Sequence, residues 1–294
     1  MNAIEPDGLM RDKLTFIQSL ALQAGRIMRS HWGRSVQIYR KQDRTVVTEV
    51  DLEISRMVQE QVQTHFPNHD LISEETWECR GPKGAQGFIV DELDGTNSFV
   101  KGRKGFVFQC AVYELRDVLV MGLVYDPLED LMVFAKRGAG CWIKRGNQVM
   151  PLESRSGKPW EMLNYAHHRN HAFPTYHQLY QRLNVEADRI ISTGNVGAKA
   201  IEFARGSVDV LIGLNRNIPV WDWAPGKVIL EELGYSLSYL NGHPLQIHVP
   251  NPNPFFGYLV CPKDHRKRFV QELGWISNRM NRPKRNIIRS TRMK

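Results

Sequence analysis

The chain has 294 residues, 42% apolar and 10% aromatic, the composition of a soluble globular protein with room for one large domain or two packed ones. It has no apolar run of about 18 residues, which excludes a membrane-spanning helix, and MNAIEPDGLMRDK lacks the basic start and apolar stretch of a secretory signal. The net charge of +8 is local: from Lys263 onward 11 Lys and Arg face two acids, Asp264 and Glu272, while the rest of the chain nets −1. Cys79, Cys110, Cys141 and Cys261 show no C-x-x-C spacing. Buried free thiols in a reducing compartment are therefore expected, rather than a disulfide framework or zinc site, and the cytoplasm is the expected location.

Asp7 to Trp32 places Leu9, Phe16, Ile17, Leu20, Ala21, Ala24, Ile27 and Met28 at helical spacing. This predicts an amphipathic helix with a packing role, ended by Gly33. A polar turn, a β-branched strand over Thr45–Thr48 and a second helix reaching His65 follow, with Ile54, Met57, Val58 and Val62 on the helix's apolar face. Thr48, Glu49 and Asp51 fall at its start, where acids suit the helix dipole and capping alone explains an aspartate. Leu71-Ile72 predicts a short strand closed by Ser73-Glu74-Glu75. Adjacent glutamates there read either as a solvated edge or as carboxylates at the ligand-binding end of an open sheet.

The stretch from Gly87 to Phe99, GFIVDELDGTNSF, is the one around which the rest is organised. Phe88-Ile89-Val90 predicts a buried strand, Asp91 and Asp94 follow three residues apart, and Gly95-Thr96-Asn97 has the composition of a turn or helix start. Taken alone it reads equally as a polar turn. Acids at a strand end can share a hard cation, and free N–H groups at a helix start can hold a phosphate. Together these are the parts of a metal-dependent phosphoryl-transfer site.

Short strands at Phe106–Glu114, Val118–Tyr125, Met132–Ala135 and Cys141–Lys144, separated by Gly and Asp-Pro signals, predict an antiparallel meander. A strand at Glu161–Ala166 leads into His167, His168 and His171, whose spacing is not that of a zinc motif; a polar loop near a substrate pocket is expected. Helix, strand, helix and strand then alternate over Thr175–Leu183, Arg189–Ser192, Val196–Arg205 and Val208–Gly213. Asp222 follows between Trp221 and Trp223 in the first turn of a further helix. A lone carboxylate wedged between large aromatics is costly unless paired or metal-bound. Strands at Ser236–Leu240 and Phe255–Val260 and a helix from Asp264 to Met280 close the globule. Residues 281–294 predict a disordered basic tail.

Four stretches occur in one order: Val47-Thr48-Glu49-Val50-Asp51, Ser73-Glu74-Glu75, Asp91-Glu92-Leu93-Asp94-Gly95-Thr96-Asn97 and Trp221-Asp222-Trp223-Ala224-Pro225-Gly226. Together they resemble the inositol monophosphatase superfamily of lithium-sensitive, magnesium-dependent phosphatases, over residues 8–275. The resemblance implies an α+β to α/β fold, a layered αβαβα sandwich of the sugar-phosphatase type. Two tightly packed subdomains, 1–150 and 151–280, are expected. It also implies two or three Mg²⁺ per site, inhibition by Li⁺, and a homodimer.

By the same resemblance Glu74, Asp91 and the carbonyl of Leu93 hold the first ion, and Asp91, Asp94 and Asp222 the second. Glu74, Thr96 and Asp51 are the catalytic groups, the last two orienting a water. Gly95, Thr96 and Asn97 are assigned to phosphate. Gly194, in the loop Thr193–Gly197, with Asn215 and Arg216, is assigned to the substrate. Four converging carboxylates would repel one another without cations, and oxygen-only ligands suit Mg²⁺.

Four positions depart from the family pattern. Glu92 replaces a usual proline and is expected to point away from the metals while adding charge nearby. Ser73 replaces a glycine and resembles the S-E-E of bisphosphate nucleotidases. Asn215 replaces an inositol-binding glutamate, and Pro225 a small residue, tolerable early in a helix. The expected function is a phosphomonoesterase acting on inositol 1-phosphate or a similar small sugar or polyol phosphate. A 3′(2′),5′-bisphosphate nucleotidase, or a histidinol-phosphate or fructose-1,6-bisphosphate phosphatase, is the enzymatic alternative. The non-enzymatic one is contact of the basic tail with RNA, DNA or an acidic protein surface.

Overall fold

The computed structural model describes residues 6–41, 45–78, 86–115, 118–168, 173–193, 195–216, 218–245 and 256–280. The chain begins with helix α1 (Pro6–His31), strands β1 (Ile38–Arg40) and β2 (Val46–Thr48), helix α2 (Glu49–His65) and strands β3 (Asp70–Ser73), β4 (Trp77–Glu78) and β5 (Gln86–Asp94). The short helix α3 (Thr96–Val100) precedes β6 (Val107–Glu114), β7 (Val118–Asp126), β8 (Leu131–Lys136), β9 (Gly140–Arg145) and β10 (Gln148–Leu152). The second half runs β11 (Tyr165–His168), α4 (Phe173–Arg182), β12 (Ile190–Thr193), α5 (Val196–Arg205), β13 (Val210–Arg216) and α6 (Val220–Glu232). It ends with β14 (Tyr235–Tyr239), β15 (Phe256–Pro262) and α7 (Arg266–Met280).

These elements stack in five layers. The large sheet has eight strands in the order β10-β9-β8-β7-β6-β5-β3-β4. β6 to β9 are the antiparallel meander that the short apolar runs predicted; β5 and β10 extend it antiparallel at its two ends, and β3 joins parallel to β5. Ile17, Leu20, Ala21, Ala24 and Met28 of α1, with Ile54, Val58 and Val62 of α2, are buried against Phe88, Val90, Phe108, Cys110 and Leu123 on one face. Ala200 and Phe203 of α5 and Val228 and Ile229 of α6 cover the other face. The same two helices also pack against the second sheet, five strands in the order β12-β11-β13-β15-β14. Leu179 of α4 and Phe269, Leu273 and Ile276 of α7 close its outer side. The result is the expected αβαβα sandwich.

Several expectations need correction. The strand predicted over Glu161–Ala166 starts only at Tyr165; Trp160–Met162 form a single 3₁₀ turn. The histidines do not form a polar loop: His167 is buried on β11, stacked on Tyr176, with its Nδ1 3.2 Å from the Tyr180 hydroxyl. His171 lies outside the described residues, as do Cys79 and the tail at 281–294. Cys110, Cys141 and Cys261 are free and buried, as expected. Pro225 falls at the sixth residue of α6 rather than in its first turn, so it removes one i→i−4 hydrogen bond there. Among the described residues no helix is long and apolar enough to cross a membrane.

Candidate active site

β5 carries Asp91 and Asp94 to one end of the large sheet. In a regular strand, residues three apart point to opposite faces. Here β5 pairs Asp91 with Gln109 and then Asp94 with Val107, one residue more on β5 than on β6. That bulge turns the strand and re-aims its side chains. The two acids thereby become electrostatic neighbours, while Glu92 between them lies among Ser55 and Ser73. A bulge of this kind leaves no mark in hydrophobic alternation, and the sequence did not disclose it.

Gly95 caps α3 with φ +100°, in the left-handed region that favours glycine. Space is a second constraint. A Cβ at Gly95 would lie 1.9 Å from Nδ2 of Asn195, which itself donates to the Gly105 carbonyl at 2.5 Å. The first N–H groups of α3 have no partner within the helix. Thr96 is half-buried there, and its hydroxyl lies 3.2 Å from Asp51 Oδ1 and 3.1 Å from the Leu93 carbonyl. Asn97 beside it is exposed.

Asp51 does two jobs. Its Oδ2 accepts from the Thr48 amide at 2.8 Å and the Thr48 hydroxyl at 2.5 Å, while Thr48 Oγ1 faces the Val50 and Asp51 amides, forming a capping box. Its other oxygen meets Thr96. Burial raises the Asp51 carboxyl above its ordinary value, against the Thr48 hydrogen bonds that lower it, and Glu74 adds repulsion.

Asp91 Oδ1 accepts from the Leu93 amide at 3.2 Å and Oδ2 from Gln109 Nε2 at 3.3 Å. Burial holds this carboxyl well above the usual range, reinforced by repulsion from Asp94, Glu74, Asp222 and Glu92. Asp222 stands in the first turn of α6 between half-buried Trp221 and buried Trp223. It is raised for the same reasons, burial first and then Asp94 and Glu74. Asp94, also raised, reaches about 6. Asp91, Asp94 and Asp222 thus lie within one another's repulsion, and Glu74 adds to it. Among the described residues no group of three or more His, Cys, Asp or Glu is drawn together closely enough to hold a metal ion; the mutual repulsion of these acids and their oxygen-only chemistry are what fit a hard divalent ion.

The protein already supplies some countercharge. Lys41, just beyond β1, bridges Glu74 at 3.1 Å and Glu75 at 2.6 Å. The Gly197 amide at the start of α5 donates to Asp94 Oδ2 at 2.6 Å. Lys199, one half-turn later, is buried at 1% exposure. Burial draws its amine down to about 7, while Asp94 and Asp222 pull it back up. Lys41, Gln109, Asn195 and Lys199 were not singled out from the sequence. Each is a single polar residue in an ordinary context, and only the tertiary contact gives it a role.

Two departures acquire a structural account. Ser73 Oγ accepts from the Thr76 amide at 2.9 Å, closing the turn after β3. Glu92 is 1% exposed, and neither of its oxygens closes a hydrogen bond, although the Ser73 and Ser55 hydroxyls favour its charged form. Burial pushes it up to about 8. That shift favours the neutral acid, so Glu92 adds less charge beside Asp91 than a solvated glutamate would. Gly194 lies outside the described residues, and Asn215 and Arg216 are described by backbone only, both on β13.

A model of the inositol monophosphatase family matches residues 10–272. A fructose-1,6-bisphosphatase/inositol-1-monophosphatase of Thermotoga maritima is 27% identical over 79% of this chain and 86% of its own. The Nus factor SuhB of Escherichia coli is 25% identical over 80% and 88% respectively. Among solved structures, a Thermotoga maritima IMPase superposes with a TM-score of 0.75 at 22% identity, covering 92% of this chain and 99% of that one. An IMPase/NADP phosphatase complexed with Mg²⁺ and phosphate superposes with a TM-score of 0.71 at 21% identity, covering 90% and 95%. Layer order, the bulged Asp-x-x-Asp-Gly-Thr strand and the family match agree: the chain belongs to the inositol monophosphatase family.

Proposed function

We propose that the chain is a Mg²⁺-dependent phosphomonoesterase acting on inositol 1-phosphate or a similar small sugar or polyol phosphate. The observation that carries this reading is the contact of Thr96 with Asp51 beside a cluster of four acids whose burial and repulsion raise Asp91, Asp94 and Asp222 together. Glu74, Asp91 and the Leu93 carbonyl would hold one ion, and Asp91, Asp94 and Asp222 a second. Bound there, divalent ions polarise the phosphoryl group, ease deprotonation of water and stabilise the leaving oxygen.

The residues do the rest. The N–H groups of Gly95, Thr96 and Asn97 orient the phosphate at the start of α3. Thr96 Oγ1 holds a water in line and passes its proton towards Asp51, which is held rigid by Thr48. Asn215, Arg216 and Gly194 contact the leaving group. The Ser73 contact with Thr76 gives that serine a structural task, so it supplies no argument for a nucleotide substrate.

The test is phosphate release from inositol 1-phosphate with and without Mg²⁺, with Asp94→Asn as control. Adenosine 3′,5′-bisphosphate, histidinol phosphate and fructose 1,6-bisphosphate are run beside it. Magnesium-dependent release that disappears in the variant supports the reading. A nucleotide preference of two orders of magnitude would replace inositol phosphate as the substrate, and no release from any of the four would overturn the enzymatic reading.

A further inference from the structure

A cavity of about 400 Å³ opens on the outer side of the five-stranded sheet. It is walled by the turn at Trp160–Met162, β11, the segment after α4, the 3₁₀ turn Ala187–Arg189 and the first turn of α7. Asp222 lies on the other side of that sheet, with α5 and α6. Small-molecule sites span roughly 300–1,000 Å³, so this one has room for a ligand. Its apolar wall is made by buried Leu163 and Leu183 and half-buried Val185.

The polar groups are of one kind. The Arg268 guanidinium stands over the Trp160 ring, 3.8 Å from its centroid, and Trp160 is itself packed on Phe269 at 4.4 Å. That stacking holds the cation at the cavity, where it has no carboxylate partner among the described residues. Arg189 reaches only Glu186, with its Nε 4.0 Å from Oε2, the outer limit of an ion pair.

Tyr165 on β11 is 2% exposed, and its ring lies edge-on to Tyr180 and Phe269. Its hydroxyl closes no hydrogen bond among the described residues, which is costly for a buried donor. Burial pushes this hydroxyl up, while Arg268 and Arg189 pull it down, so it stays a donor beside two cations. Three donors without a matching acceptor call for an anion with two oxygens. Glu161 and Glu186, both exposed in the same wall, oppose a second negative charge.

We propose that this cavity binds a small amphipathic monocarboxylate. Its carboxylate takes the Tyr165 hydroxyl, Arg189 and Arg268, and its apolar body lies on Leu163, Leu183 and Val185. The site is separate from the phosphatase centre and does not depend on metal.

The probe is radiolabelled 3-phenylpropionate, measured against the full chain by equilibrium dialysis. One saturable site per chain is expected. Tyr165→Phe, which removes only the hydroxyl, should weaken it at least threefold, and Arg268→Gln at least tenfold. Arg268 is exposed, so its variant tests the site even where the tyrosine variant fails to fold. 3-Phenylpropanamide, the neutral counterpart, should displace the probe at least tenfold less well, and phenyl phosphate less well than the acid. No saturable binding of the acid overturns the inference. Equal displacement by the amide overturns it too, by reducing the site to an apolar hollow. Tighter displacement by phenyl phosphate overturns the choice of a monocarboxylate. Unchanged affinity in a folded Arg268→Gln protein places the probe elsewhere and overturns the site.

Discussion

The Gly197 amide donates to Asp94 Oδ2 across 2.6 Å, joining the first turn of α5 to the last residue of β5. Adjacent layers of the sandwich therefore meet at a carboxylate assigned to metal. The contact depends on the absence of a side chain: a Cβ at Gly197 would lie 2.7 Å from both Asp94 Oδ2 and Gln109 Oε1. Gln109 in turn holds Asp91. One position on α5 thus sets the attitude of both β5 acids.

Gly197→Ala should reduce magnesium-dependent phosphate release by roughly a hundredfold, the scale of an ångström-sized misplacement of catalytic groups. The overpacking itself should cost about 1–3 kcal/mol. Release assays beside thermal unfolding separate the two. A variant with unaltered turnover would mean that Asp94 and Asp91 need no fixed attitude for the chemistry.

Asp51→Asn should lose the function of both oxygens. Because Oδ2 belongs to the capping box, unfolding should fall by about 0.5–2 kcal/mol. Because Oδ1 faces Thr96, turnover should fall about 10²- to 10⁴-fold. Thr48→Ala removes the cap while sparing the Thr96 contact, and should show a comparable stability loss with much smaller loss of turnover. Equal turnover losses in the two variants would reduce Asp51 to a helix cap.

Glu92 gives a pH-dependent signature. Its carboxyl rises from 4.5 to about 8 in the folded protein, mainly by burial. Between those values the unfolded chain has released the proton while the folded one keeps it. Stability from this group is complete below 4.5, falls as pH rises through the window, and is gone above about 8. At about 1.4 kcal/mol per pH unit the loss amounts to roughly a few kcal/mol. Glu92→Met should flatten that slope and be the more stable protein at pH 8.5. Denaturant melts at several pH values check it, and parallel slopes for the two proteins would show that Glu92 is not a buried neutral acid.

Much of the site was legible because its chemistry is local. Asp91, Asp94, Gly95 and Thr96 lie within six residues, Asp51 begins a helix with a periodic apolar face, and Asp222 begins one that is apolar nearly all round. What escaped was tertiary. The bulge that brings Asp91 and Asp94 together depends on pairing with β6. Lys199 looks like a helix-surface lysine until α6 and β15 cover it. β1 and β10 were not predicted, for a related reason. Both are edge strands, β1 wholly and β10 almost wholly exposed, so neither carries the burial that makes alternation visible. Trp160–Met162 looked continuous with β11, but the Asn164 amide bonds to Asp209 Oδ2 at 2.8 Å just before the strand begins.

The last prediction concerns how α6 delivers Asp222. The helix rests its backbone directly on β7: a Cβ at Gly122 would lie 2.2 Å from the Pro225 carbonyl and 3.1 Å from Val228 Cβ. The proline leaves the helix one hydrogen bond short at its N-terminal side, so the sheet beneath it carries more of the burden of holding the first turn. Gly122→Ala should push α6 off the sheet, costing about 1–3 kcal/mol and lowering turnover through displacement of Asp222. Gly274→Ala is the control, because a Cβ there meets nothing within 4 Å on the last helix. It should stabilise by up to about 1 kcal/mol and leave turnover unchanged. Thermal melts and phosphate release on both variants decide the matter. Wild-type turnover in a folded Gly122→Ala protein would mean that α6 tolerates displacement and that Asp222 is placed by its own first turn alone.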